Sequence, residues 1–206
     1  MSQAIVTWYG HSCFQIELAG SSVVIDPYAV SSVPGLRLPD LTADAVCVSH
    51  GHSDHNASER VLCTGRKLGF SLREVAGQHD HHSGSHRGKN AILVIEGEGL
   101  RIVHMGDQGC RLTPEQVKQI GKPDLLMIPV GGYFTVDAAE AKEIMKALEP
   151  RVTVPMHYRG RGFGFDALST VDEFLQGDVP VMRAETEHFI ITRDMPTQIL
   201  IPRLVQ

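Results

Sequence analysis

The stretch His50-Gly51-His52-Ser53-Asp54-His55 packs three imidazoles and a carboxylate into six residues, directly after the apolar segment 44–49. An apolar segment of this length predicts a buried strand, so the stretch lies on the loop at the end of that strand. Because side chains alternate along extended backbone, His50 and His52 project to one side, and Asp54 and His55 follow after a turn. Imidazole nitrogen and carboxylate oxygen are ligands of catalytic zinc and similar ions. The stretch therefore predicts a metal site. The alternatives are a solvated loop and a structural zinc knuckle, although no cysteine pair lies nearby.

Length and composition predict one globular domain over residues 1–206. The chain has 206 residues, of which 42% are hydrophobic and 21% charged, as in ordinary soluble proteins. Its apolar runs are shorter than the roughly 20 residues of a membrane span, so we expect no membrane partner. The first residues lack the basic start and apolar stretch of a signal peptide, which predicts a cytoplasmic protein. The four cysteines lie far apart and are expected to be buried thiols.

Charge limits the partners that the chain could recognise. The formal net charge is −5, whereas nucleic-acid binding proteins usually present a basic face. We therefore expect a small-molecule substrate and no nucleic acid, and a homo-oligomer is left open. The eleven histidines are unevenly distributed, with seven between residues 50 and 86.

Hydrophobic periodicity predicts strands first and helices late. Residues 5–9, 13–18 and 22–26 form a β-meander, followed by a Ser, Pro and Gly-rich loop over residues 30–39 that could reach over a site. Helices are predicted after the Thr113-Pro114 cap, over residues 137–148 and over residues 169–175. The further predicted strands are residues 70–75, 91–96, 100–105, 125–128, 152–156, 179–182, 188–192 and 198–201. This order of elements predicts an α+β fold, an αββα sandwich of two packed mixed sheets with helices outside.

Other candidate ligands lie at the ends of further predicted strands. A catalytic metal needs ligands from several rigid elements, with a position left open for water. His79 follows the strand ending at Gln78, Asp107 follows the strand that contains His104, and His157 follows Met156. His81 lies two residues beyond His79 and would project to the same side, so it is an alternative to His79. His104 is expected to be a hydrogen-bonded core residue that points away from Asp107.

These motifs resemble the metallo-β-lactamase superfamily, whose members carry an HxHxDH motif, a later histidine, a Gly-Asp pair at a strand end and a C-terminal histidine. The resemblance covers nearly the whole chain. It is strongest to the short branch of metal-dependent hydrolases that includes ascorbate 6-phosphate lactonase-like proteins, through residues 8–14 and 24–27. It implies two divalent ions, zinc first and manganese or iron as alternatives. His50, His52 and His79 would hold one ion, Asp54, His55 and His157 would hold the other, and Asp107 would bridge them.

Two such ions roughly 3.5 to 4 Å apart would lower the pKa of a bound water towards about 7 and supply a hydroxide nucleophile. Asp54 would also orient that hydroxide or handle its proton, which makes it the candidate catalytic residue. Candidate substrate-binding residues are His11, in a turn near the site in this branch, Tyr133, which follows two glycines, and Arg159 and Arg161, just beyond His157. His81, His82 and His86 are expected on a solvated loop, and His188 is expected to be structural.

The sequence thus predicts a metal-dependent hydrolase that acts on a small, anionic ester, lactone or phosphodiester. A β-lactamase and an RNA-processing nuclease are disfavoured, since the chain lacks a secretory signal, a large inserted domain and a basic arm. The alternative is a non-catalytic metal-binding or ligand-sensing protein on the same scaffold. The complete set of ligand-type residues argues against that alternative.

Overall fold

The computed structural model describes residues 2–82 and 84–204. Within this part of the chain, fourteen strands and two α-helices follow one another. The strands are β1 (Gln3–Trp8), β2 (Phe14–Leu18), β3 (Ser21–Ile25), β4 (Leu41–Ala43), β5 (Ala45–Cys47), β6 (Val61–Cys63), β7 (Ser71–Gln78), β8 (Lys89–Gly97), β9 (Leu100–His104), β10 (Leu125–Pro129), β11 (Val152–Met156), β12 (Val181–Arg183), β13 (His188–Thr192) and β14 (Gln198–Ile201). The helices are α1 (Pro114–Ile120) and α2 (Ala138–Leu148).

Two mixed sheets form the frame, as the α+β sandwich prediction requires. The first has the order β13-β1-β2-β3-β5, and the second has the order β12-β14-β11-β10-β9-β8-β7. In the first sheet β1, β2 and β3 are an antiparallel meander, whereas β5 runs parallel to β3. In the second sheet β7, β8 and β9 are antiparallel, and β9, β10, β11 and β14 are parallel. A two-residue loop joins β8 to β9, with positive φ at Glu98 and Gly99.

The apolar core lies between the two sheets. Side chains alternate along each strand, so Val23 and Ile25 of β3 contact the shared core, whereas Val24 between them faces the other way. Val24 packs in a second cluster with Leu36 and Leu38 of the loop over residues 30–39. This loop therefore covers the outer face of the five-stranded sheet.

Both described α-helices contact the seven-stranded sheet instead. Helix α1 contacts β7 and helix α2 contacts β10. Each begins with a capping box, formed by Thr113 and Gln116 in α1 and by Asp137 and Glu140 in α2, which satisfies backbone N–H groups that a helix start leaves free. No helix in the described residues combines the length and the apolar character needed to cross a membrane.

The helix predicted over residues 169–175 is wrong. The segment forms a single 3-10 turn, Val171–Glu173. Thr170 donates its hydroxyl to Asp172 and does not cap the backbone, while the Ser169 N–H donates to the Gly131 carbonyl. Because the Thr170 hydroxyl is bonded to Asp172 and not to the backbone, the segment has no side-chain cap from which a longer helix could begin.

Strand direction brings several chain segments to one edge of the sandwich. Because β7 and β9 are each antiparallel to β8, they run parallel to one another and to β10 and β11. Their C-terminal ends therefore meet at one edge of the seven-stranded sheet. The loops that follow these ends carry the ligand-type residues.

Candidate metal centre

Four strand ends supply the ligand-type side chains. The loop after β5 carries His50, His52, Asp54 and His55, and β7 is followed directly by His79. Asp107 comes after β9, and His157 follows β11 directly. Strands β9 and β11 are paired on both sides, whereas β5 and β7 are edge strands paired on one side. All four strands belong to a sheet, which restricts the positions of the side chains that follow their ends.

Asp107 lies at the centre of these residues. Its Oδ2 atom is 3.2 Å from His55 Nε2, 3.2 Å from His157 Nε2 and 3.3 Å from His79 Nε2. The distance to His50 Nε2 is 3.8 Å. A single carboxylate oxygen therefore faces imidazoles from three separate loops, while all four rings are buried among themselves rather than spread along a surface.

The ligand atoms divide into two main groups around Asp107. His50, His52 and His79 offer atoms within 4.8 Å of one another, and so do His11, Asp54, His55 and His157. A further overlapping group joins Asp26, His50 and His55. The first two groups divide the ligand-type residues in the way that the superfamily resemblance implies, with His11 added to the second.

Unpartnered buried atoms test whether these residues fit metal ions. His79 Nδ1, His157 Nδ1, His11 Nδ1, His55 Nε2 and Asp107 Oδ1 are buried and have no hydrogen-bond partner. His55 Nε2 is close to Asp107 by distance, but that contact lacks the geometry of a hydrogen bond. A buried polar atom without a partner costs about 1 to 3 kcal/mol, and more when charged. Ligation would satisfy several such atoms, so the residues present fit a metal centre.

Burial and neighbouring charges set the protonation states of several acids and imidazoles at this centre. Burial raises the pKa of Asp107, but the His157 and His55 imidazoles outweigh it and hold the pKa well below its ordinary value. Burial lowers the pKa of His50 to about 4 and that of His11 to about 3. Burial also lowers the pKa of His55, but the Asp107 and Asp26 carboxylates outweigh it and raise that pKa well above its ordinary value. The centre therefore combines an ionised carboxylate with neutral His50 and His11 rings at neutral pH, and a bound cation would take the place of the proton on His55.

Asp26 supports the centre from behind, and the sequence marked it only as the end of a strand. Its carboxylate accepts hydrogen bonds from the Ser49 N–H at 2.6 Å, the Ser49 hydroxyl at 2.6 Å and His55 Nδ1–H at 2.9 Å. Because the Ser49 hydroxyl donates to Asp26, it accepts from His50 Nδ1, 3.0 Å away. The Asp26 carboxylate thus orients one histidine of each ligand group, His50 and His55, so that the Nε2 lone pair of each points towards Asp107. The feature of the sequence that could have indicated this role of Asp26 is the Asp-Pro pair at the end of a predicted strand.

The Gly106-Asp107 pair has a steric cause. Gly106 has φ +53°, and a Cβ there would overlap Asn90 and Ser49. The Asp107 N–H donates to Asn90 Oδ1 at 2.9 Å, which fixes the backbone of the central carboxylate. His104 lies on the other side, since its Nδ1 accepts from the Gly106 N–H and its Nε2–H donates to the Ser12 carbonyl.

His79 and His81 occupy different surroundings. His79 is buried beside Asp107, whereas the His81 side chain is 59% exposed and lies 3.5 Å from Glu140 Oε1. Between them, Asp80 accepts the backbone N–H groups of His82, Gly84, His86 and Arg87. This turn reverses the chain just after His79, so the two histidines do not share one side. His82 and His86 are exposed, with ring centroids 4.3 Å apart.

A cavity of about 380 Å³ opens beside the ligand groups. Its lining consists of His52, Asp54, His79, Arg87, Asp107, Phe134, His157 and Phe165. Arg87, Phe134 and Phe165 were not singled out from the sequence, because loops distant along the chain bring them there.

None of the four candidate substrate-binding residues lines this cavity. His11 is buried inside the second ligand group, with Nε2 3.3 Å from Asp54 Oδ2. Tyr133 is 68% exposed and lines a neighbouring cavity. Arg159 and Arg161 are exposed and are not among the lining residues, since Arg159 turns its Nε–H to the Leu168 carbonyl. His188 contacts the Thr7 hydroxyl at 2.8 Å and belongs to none of the ligand groups.

The chain is similar to several known proteins over most of its length. A family model described as a beta-lactamase superfamily domain matches residues 5–157. A metal-dependent hydrolase of Thermoplasma acidophilum is 28% identical over 77% of this chain and 84% of the relative, and one of Caldivirga maquilingensis is 30% identical over 73% and 80%. A Thermotoga maritima crystal structure, described as a candidate zinc-dependent hydrolase of the metallo-beta-lactamase superfamily, has TM-score 0.76 and 33% identity, covering 97% of this chain and 98% of the other.

Proposed function

We propose that this chain, a metal-dependent hydrolase that belongs to the beta-lactamase superfamily, uses a dinuclear metal centre to hydrolyse a small, anionic substrate. The observation that carries the proposal is the position of Asp107, one of whose oxygens faces histidines of both ligand groups at 3.2 to 3.3 Å. A carboxylate between two ligand groups can bind two cations at once. A site for one ion does not need a carboxylate in such a shared position.

His50, His52 and His79 would hold one ion, Asp54, His55 and His157 the other, and Asp107 would bridge them. When bound, two divalent ions would polarise the substrate oxygen and lower the pKa of a bound water towards about 7. Zinc is the first candidate, because the donors are mainly imidazoles and the similar Thermotoga protein is described as a candidate zinc enzyme. Manganese and iron use the same donor types.

Asp54 is the proposed catalytic residue. It lines the cavity, is partly exposed, and its Oδ2 lies 3.3 Å from His11 Nε2. Burial raises the pKa of Asp54, but the hydrogen bond from His11 and the charge of His55 outweigh burial. The pKa therefore lies below its ordinary value, and the carboxylate stays ionised. An ionised carboxylate at this position can accept a hydrogen bond from the attacking water and hold its direction of approach. His11 would keep Asp54 in place.

The cavity limits the size and charge of the substrate. At about 380 Å³ it accommodates a small molecule rather than a polymer chain. The proposed cations and Arg87 favour a substrate with negative charge, such as an ester, lactone or phosphodiester that carries an anionic group. We also propose a reducing compartment, the cytoplasm, since all four cysteines are free.

Elemental analysis tests the dinuclear centre. Protein reconstituted with excess zinc or manganese and then freed of unbound metal is expected to hold two ions per chain. The Asp54→Asn variant should keep the first ion, lose affinity for the second, and lose hydrolytic activity. A maximum of one ion in the wild-type chain would remove the dinuclear proposal and leave Asp54 as a base. The screen for activity uses lactones, phosphodiesters and carboxylic esters.

A further inference from the structure

Three residues of the cavity wall are not proposed ligands. Five of the eight lining residues belong to the metal centre, and the others are Arg87, Phe134 and Phe165. The two phenylalanine rings are 5.7 Å apart in an edge-to-face arrangement. Around this cavity, the side chains available to recognise a substrate are therefore one cation and two aromatic rings.

Contacts on several sides fix the position of Arg87. Its backbone N–H donates to Asp80 Oδ2 at 2.8 Å, and its Nη1 donates to the Tyr133 carbonyl at 2.6 Å. The guanidinium carbon lies 5.0 Å from the centre of the Phe134 ring and 5.8 Å from that of Tyr133. The half-buried guanidinium thus rests on aromatic faces, which leaves its N–H edge for polar partners.

The charge of Arg87 has no acidic partner in the described part of the chain. Six other arginines there lie within ion-pair distance of a carboxylate, namely Arg60, Arg66, Arg73, Arg101, Arg111 and Arg151. Arg87 instead uses a neutral carbonyl, which occupies one of its five N–H donors. A half-buried, oriented cation without a carboxylate is suited to bind an anion from solution.

We propose that Arg87 is the specificity-determining residue of this centre and binds an anionic group of the substrate. Phe134 and Phe165 enclose the apolar or planar body of that substrate, and the bond to be hydrolysed lies towards Asp107. The substrate class is then a small ester or lactone whose planar or apolar body carries a carboxylate or phosphate. This inference rests on the proposed hydrolytic function and names its substrate class.

Arg87 also joins the loop after His79 to the loop that contains Tyr133, so a test must separate recognition from support. The matched substrates are 4-carboxyphenyl acetate and neutral phenyl acetate, assayed with the zinc-loaded protein. Arg87→Met should lower kcat/KM for the anion about 10-fold or more, mainly through KM, and change that for the neutral ester less than about 2-fold. Arg87→Lys should retain part of the preference. Arg203→Met, an exposed arginine on the segment after β14, is the control.

Two kinetic outcomes would overturn the inference. An equal loss for both esters means that Arg87 only supports the loops. A loss of the preference in the double variant Arg159→Ala, Arg161→Ala, with Arg87→Met unaffected, means that those exposed arginines form the anion site.

Binding without turnover separates this inference from the hydrolytic proposal. Titration calorimetry with 4-acetamidobenzoate and neutral acetanilide is expected to show about 10-fold tighter binding of the anion, a difference that Arg87→Met abolishes. If the wild-type protein binds the two equally or binds neither, the inference about Arg87 is overturned. If the anion preference is present and depends on Arg87 but no ester, lactone or phosphodiester is hydrolysed, the hydrolytic proposal fails and the anion site stands.

Discussion

The parallel pair β3 and β5 carries a buried aspartate at each end, and the two ends differ in what surrounds it. At the start of β5, Asp44 accepts from the Thr64 hydroxyl at 2.6 Å, from Arg66 Nη2 at 2.9 Å and from the Ser22 N–H at 2.9 Å. At the end of β3, Asp26 accepts from Ser49 and from His55. Arg66 of the chain itself therefore neutralises the negative charge of Asp44 within the fold.

Asp26 instead accepts a hydrogen bond from the His55 imidazole, whose other nitrogen, Nε2, has no hydrogen-bond partner. Its interactions continue through His55 to Asp107, which also has an unpartnered oxygen. A buried carboxylate whose hydrogen-bond partners are all present stabilises the fold. A buried carboxylate whose partner histidine keeps an unpartnered ring nitrogen instead orients that nitrogen to bind a cation. The comparison predicts that substitutions at the two ends will affect different measurements.

The largest effect is expected for Asp107→Asn. An amide cannot supply an anionic bridge, so zinc occupancy should fall and kcat/KM should drop about 100-fold or more, with the circular dichroism spectrum retained. His104→Gln is the matched control, because both His104 nitrogens already form hydrogen bonds within the fold. If His104→Gln loses more metal than Asp107→Asn, the strand faces the other way and His104 is the ligand.

Asp26→Asn should weaken zinc binding about 10-fold to 100-fold, because His55 loses the carboxylate that orients it. Competition with a chelator measures the affinity. Asp44→Asn is the control at the opposite end of the same strand pair and should leave it unchanged. Equal losses in the two variants would show that the effect comes from the strand pair as a whole.

Ser49→Ala should have a smaller effect that reaches both ligand groups. The substitution removes the hydroxyl that joins His50 to Asp26, but the Ser49 backbone N–H still donates to Asp26. We expect a loss of roughly 10-fold or less in the affinity for each ion, measured by stepwise competition with a chelator. A loss confined to one ion would show that the hydroxyl orients only one of the two histidines.

The smallest effect concerns the pH dependence of stability at the Asp44 end. Hydrogen bonds from Thr64, Arg66 and Ser22 lower the pKa of Asp44 from its ordinary 3.8 to about 2. A lowered pKa in the folded state means stability that is present above the unfolded value and is lost as the pH falls through the folded value. In metal-free protein, urea unfolding of Asp44→Asn should therefore change less than that of wild type between about pH 4 and pH 2. Parallel curves would show that Asp44 contributes nothing to acid unfolding.

Much of the architecture could be predicted from the sequence because its signals are local. Alternating apolar residues marked the meander, the Thr113-Pro114 cap marked the first α-helix, and hydrophobic periodicity marked the second. The segment 169–175 shows the limit of such patterns. The sequence predicts a helix there, but Thr170 does not cap the backbone and the Ser169 N–H donates to the Gly131 carbonyl.

The sequence by itself determined which side chains stand at the strand ends, since a strand followed directly by histidine or by Gly-Asp is a feature of neighbouring residues. The tertiary structure decided which of those side chains meet. Asp54 meets His11 across 43 residues of chain, and Asp26 meets His55 across 29. Arg87 reached the cavity wall through contacts with Tyr133 and Phe134, 46 or more residues away, while Arg159 turned to Leu168. Contacts over such separations depend on sheet order and loop packing, which no local pattern encodes.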